Sequence, residues 1–190
     1  MLPFASARRV WLLAAAAGWM LALAGDRPEP RGAAVPLAGA GVYAGLDEAA
    51  RREDYVESFA RATASLERQV RTRGWRDPDT LEALHRVALV THLAGDQDTA
   101  EEVAELALAL RERYLGPRDP RTLVSLVLRG MVAKYANDVK LAQRCYTQAL
   151  TAIGARAELL PLAADVLVAR ASALRVDSGE PQAVVRLLEQ

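Results

Sequence analysis

The chain is poor in most of the residue types that build catalytic or cross-linked proteins. Cys145 is its only cysteine, which excludes an intrachain disulfide and a cysteine-built zinc site. That residue reads as a small apolar group on a buried helix face. Histidine occurs twice, at 85 and 92. The two lie seven residues apart and so share a helical face. Zinc on a helix favours closer pairs, and no third ligand is near in sequence, so they read as polar groove residues rather than metal ligands. Net charge is lacking too: 24 basic residues face 24 acidic ones. A neutral chain has no electrostatic claim on nucleic acid. Aromatics make up only 5%, and the abundance of Ala, Leu, Val and Arg favours helices over sheets. No G-x-S-x-G, phosphate-loop or H-E-x-x-H signature occurs. The glycine-rich stretch from Gly39 to Gly45 has the wrong spacing for a phosphate loop and no Lys-Ser/Thr after it. The expectation is therefore a non-enzyme with no cofactor and no metal.

Acids are absent from residues 1–25. Arg8-Arg9 precede an apolar run from Val10 to Ala24, which Asp26 closes. A basic start, a short apolar core and Ala22-Leu23-Ala24 before Gly25 fit a cleavable signal peptide. The same features fit a retained anchor. Its helix would be about 22 Å long, short of a bilayer core of roughly 30 Å, unless the arginines snorkel and Trp11 and Trp19 sit at the interfaces. The expectation carried forward is a membrane anchor through residues 8–24, in a mitochondrial inner membrane or a bacterial envelope. The export reading puts the mature chain in the periplasm instead. Residues 26–46, with Pro28, Pro30 and Pro36 among several glycines, read as a linker. Residues 47–190 then form one helical domain.

What is present in that domain is a pattern that returns. Asp77-Pro78-Asp79-Thr80-Leu81 recurs 42 residues later as Asp119-Pro120-Arg121-Thr122-Leu123. A period of this size marks stacked repeats. Asp77 and Asp119 are N-caps, and each is followed by proline at the first helical position, where a missing N–H costs nothing. Gly95-Asp96 and Asn137-Asp138 are the turns, and Gly116-Pro117 and Gly154 the stops. Small residues at Ala88/Gly130, Ala100/Ala142 and Ala107/Ala149 permit the close approach of paired helices. A third, incomplete unit places Ala171 and Ala183 at the corresponding positions. Ahead of the repeats, Asp47 is expected to cap a helix running to Gly74, with Val56, Phe59, Thr63, Leu66 and Val70 as its buried stripe.

Residues 77–190 resemble tetratricopeptide repeats (TPR) of the kinesin-light-chain-like variety. The segment Ala107-Leu108-Ala109-Leu110-Arg111-Glu112-Arg113-Tyr114-Leu115-Gly116 carries the likeness best. Ala104 stands where that variety has a bulky residue, and Arg129 where it has an apolar one. The resemblance implies an all-α solenoid of antiparallel helix pairs. Its concave face would hold Glu82, His85, Leu89, His92, Leu93, Val124, Val127, Met131, Lys134 and Tyr135, continued by Val168 and Arg175. The family's Lys-Asn-Arg clamp for carboxylates is missing from this face. The partner implied is another protein subunit, received as a helix or an extended peptide.

Overall fold

In the computed structural model of the protein, residues 50 and 52–178 are described. The anchor segment, the linker, Asp47 and the turn after Ser178 lie outside them, as does the side chain of Arg175. From Tyr55 to Ser178 six α-helices follow one another: α1 (Tyr55–Arg73), α2 (Pro78–Leu93), α3 (Gln97–Tyr114), α4 (Pro120–Tyr135), α5 (Val139–Ile153) and α6 (Leu160–Ser178). A single turn of 3₁₀ helix (Ala157–Leu159) precedes α6. No strand occurs among the described residues. None of their helices is long and apolar enough to cross a membrane.

Each helix packs on the next, forming successive hairpins, and α2–α4 and α4–α6 also touch. The three helices α2, α4 and α6 therefore line one side of the stack. Aspartates start the first five helices. Asp77 and Asp119, each followed by proline, accept from the backbone N–H two residues on, at 3.0 and 2.9 Å. Asp54, Asp96 and Asp138 accept from the N–H three residues on, at 3.1, 3.3 and 2.9 Å. The latter three are themselves 42 residues apart. The period thus begins one helix earlier than the Asp-Pro motif announces, and α1 is the counterpart of α3 and α5. Backbone geometry agrees: Glu53, Gly95 and Asn137, each just before one of these caps, all have φ between 62° and 83°.

This phase corrects two expectations about α1. Its cap is Asp54, and Val56 is 54% exposed instead of joining the buried stripe. Val56 occupies the first-turn position that Asp98 and Lys140 hold in α3 and α5, which faces water. Phe59, Thr63 and Leu66 are buried as the spacing predicts.

α2 and α4, packed from several sides, bury residues around most of their circumference. α4 comes close to α5 at Gly130. A Cβ there would lie 2.6 Å from Tyr146 Cε1 and 3.1 Å from Cys145 Cβ. Both neighbours are buried, so the ring has no free direction in which to retreat. Arg129 and Ala104, which differ from the pattern the resemblance implies, are accommodated. Arg129 reaches Glu105 on α3 at 3.1 Å, and Ala104 is buried.

Among the described residues one charged side chain lies fully inside the stack. Arg111, in the last turn of α3, is 1% exposed. Its guanidinium donates to the Arg121 carbonyl at 2.6 Å and to Ser125 Oγ at 3.0 Å on α4, and to Glu82 on α2 at 2.5 Å. Ser125 Oγ also lies 3.1 Å from His85 Nδ1. Burial lowers the Arg111 pKa, and the Glu82 carboxylate opposes that shift. Arginine stays charged in either case, so the ion pair and the two further bonds must offset its desolvation.

Gly130→Ala is expected to destabilise the fold by about 1–3 kcal/mol in urea unfolding, because overpacking outweighs the gain in helix propensity. Arg111→Ala should cost about 3 kcal/mol in the same assay, since it leaves a three-helix junction without its donors.

Candidate functional site

The ten residues placed on one face by the resemblance do not remain together on one surface. His85, Leu89 and His92 of α2 are enclosed, and so are Val124, Val127 and Met131 of α4. Glu82 is partly exposed but committed to Arg111. Leu93 and Lys134 are half-buried, and Tyr135 is 63% exposed. Four of the ten, Val127, Met131, Lys134 and Tyr135, form one wall of a recess of about 340 Å³. Its floor is Tyr146 of α5, and its other wall is Asp165, Val168, Ala169 and Ser172 of α6.

The recess is mainly apolar and carries a cation and an anion. Lys134 Nζ donates to Ser172 Oγ at 2.6 Å and lies 5.2 Å from the centre of the Tyr135 ring. Among the described residues neither Lys134 nor Asp165 has an ion-pair partner. Val168, 71% exposed, stands at the lip. A volume of this size suits one or two bulky side chains or a small ligand.

The origin of the recess is visible in the repeat register. Pro161 stands 41 residues after Pro120, as Pro120 stands 42 after Pro78. Asp165, Val168, Ala169 and Ser172 of α6 therefore hold the positions of Val124, Val127, Leu128 and Met131 in α4. Where α4 presents Leu128 and Met131, α6 presents alanine and serine. Val127 is buried, whereas its counterpart Val168 is not. Tyr146, in the position of Ala104, fills part of the lost volume from below. Of the α6 wall the resemblance reaches only Val168; Asp165, Ala169 and Ser172 do not follow from the motif, since Ala169 and Ser172 carry no chemistry of their own. The Pro120–Pro161 spacing was the signal that could have placed them.

Next to this recess sits His92. Gln97 Nε2 donates to the His92 carbonyl at 3.2 Å, which turns Gln97 Oε1 toward His92 Nδ1 at 2.8 Å. The Nδ1–H donor is thereby fixed. The ring meets Tyr135 edge-on, centroids 4.9 Å apart. Burial lowers the His92 pKa and nearby Lys134 lowers it further, against the opposing hydrogen bond to Gln97. Cys145 is buried behind Tyr146, and burial pushes its thiol pKa up. Among the described residues no group of three or more His, Cys, Asp or Glu side chains could hold a metal ion.

No protein-family model matches the chain, and no curated protein does either.

The His92 shift makes stability depend on pH. The folded pKa lies below the ordinary 6.5, so the unfolded chain takes up a proton first. The His92 contribution is intact above pH 6.5 and is lost as pH falls below it, at no more than about 1.4 kcal/mol per pH unit. Urea unfolding between pH 7.5 and 5 should show this fall, and His92→Gln should flatten it.

Proposed function

We propose that the protein is a non-catalytic interaction module of the tetratricopeptide-repeat type, kinesin-light-chain-like in its period. In this reading residues 8–24 tether it to a membrane, mitochondrial inner or bacterial. There it serves as an assembly or accessory subunit of a larger protein complex. The observation that carries the reading is the recess between α4 and α6, with the solvent-facing Tyr135 and Val168 at its edge. Exposed apolar groups beside an apolar hollow are what a protein-binding surface provides. The partner enters as a helix or an extended peptide.

The sequence Ala22-Leu23-Ala24-Gly25 favours a second reading. There the leader is cleaved, and an exported periplasmic adaptor captures peptides reversibly. Sequencing the N-terminus of the mature protein separates the two, since the adaptor begins at Gly25.

The interaction itself is tested with a photo-crosslinking residue at position 168 of the full chain, in native membranes. A discrete crosslinked polypeptide is expected there and not from position 148 on the exposed face of α5. Tyr135→Ala with Val168→Arg should abolish co-purification of that polypeptide while leaving the melting temperature within a few degrees, because both side chains face solvent. Equal crosslinking at 148 and 168 counts against the reading.

A further inference from the structure

Two junctions of the same repeat differ in one respect that matters for recognition. Between α2 and α4 the chain fills its own space. At the positions in question α4 supplies Val124, Val127, Leu128 and Met131, all buried. Between α4 and α6 the corresponding residues are Asp165, Val168, Ala169 and Ser172, and the recess remains. The charges change at the same place. Lys134 replaces the neutral His92, and Asp165 replaces Val124, one on each wall. Loss of volume and gain of charge without an ion-pair partner among the described residues therefore coincide at one junction.

Resting on the interaction reading above, we propose that this junction is completed by a helix of a partner protein. The helix lays two bulky apolar side chains, three or four residues apart, into the space that Leu128 and Met131 occupy one repeat earlier. The filled junction shows which side chains fit. Charge supplies the register. Asp165 holds the place of Val124, ten residues before Lys134, so the two charges are offset by about 15 Å along the helix axes. The partner helix carries a cation toward Asp165 and a carboxylate toward Lys134, with the apolar pair between them. Lys134 already donates one of its three N–H groups to Ser172, which leaves two for that carboxylate.

The probe is a stapled helical peptide with Leu and Met three residues apart, bracketed by Arg at one end and Glu at the other. Both end-to-end orders are made. Titrated against the full chain, one order should bind. Its affinity should fall about tenfold or more when Leu and Met become Ala, since deleting several buried methylenes is worth at least that factor. The chain variant Ala169→Leu with Ser172→Met, which installs the side chains of the filled junction, should weaken binding by a similar factor and keep or raise the melting temperature. Lys134→Glu should weaken the Glu-bearing peptide, and a peptide with Lys in place of that Glu should restore binding. This arm leaves the apolar packing of the recess untouched.

Binding that survives Ala169→Leu with Ser172→Met overturns the proposal. So does binding indifferent to the Lys134 charge swap. A small amphiphile retained by the full chain in native mass spectrometry, and lost from the filled variant, overturns it in favour of a small ligand. The broader reading fails separately. If the filled variant still crosslinks through position 168 to the same polypeptide, interaction at this face stands and only the filling helix is refuted. If the unmodified recess gives no crosslink at all, the interaction reading falls.

Discussion

One guanidinium holds the first half of the stack in register. Arg111 reaches from α3 to both helices that flank it, so the distance between α2 and α4 is fixed by hydrogen bonds of definite length, not by apolar packing alone. At the second junction every member of that cluster has an apolar counterpart. Ile153 stands for Arg111, Leu162 for Arg121, Val166 for Ser125 and Val124 for Glu82, and all four are buried. Apolar packing is non-directional and tolerates small shifts that a buried, hydrogen-bonded charge does not. The first junction is thus tied by a buried charge, and the second has apolar packing at those positions, with the Lys134–Ser172 bond beside the recess. The recess lies at the second.

Much of the fold was legible in the sequence because helix punctuation is local chemistry. An Asp followed by Pro favours a helix start, as cap and as first helical residue, and Asp77-Pro78 and Asp119-Pro120 behave alike. The buried small residues were legible for a related reason. Only short side chains allow paired helices to touch, and Gly130 under Tyr146 is the extreme instance. The phase of the first helix was not legible in the same way. The Asp54–Asp96–Asp138 series was present, but an isolated Asp before a helix is common, and Asp47 offered an equally good cap upstream.

The candidate site was legible only in part, because a face defined by analogy says which way a residue points and not how closely the next helix covers it. His85 and Leu89 point along the expected side and are sealed by α4. Tyr135 and Val168 point the same way and remain open. The difference lies in what α6 lacks, and a missing methylene leaves no mark in a sequence read one residue at a time. It emerges when successive copies are compared position by position, with the prolines as rulers.

The contact between Gly130 and Tyr146 also constrains how the two units could have diverged. Their counterparts in the preceding hairpin are Ala88 and Ala104. If both hairpins descend from one ancestral copy, two substitutions separate them, and two orders are conceivable. Alanine facing tyrosine places a methyl group inside the ring's own volume. Glycine facing alanine loses some helix propensity and leaves a small gap, a cost of roughly 1 kcal/mol for the propensity. Whichever hairpin is older, the passable route runs through glycine and alanine. The backbone had to make room before the aromatic ring could arrive, or the ring had to leave before the methyl group could return.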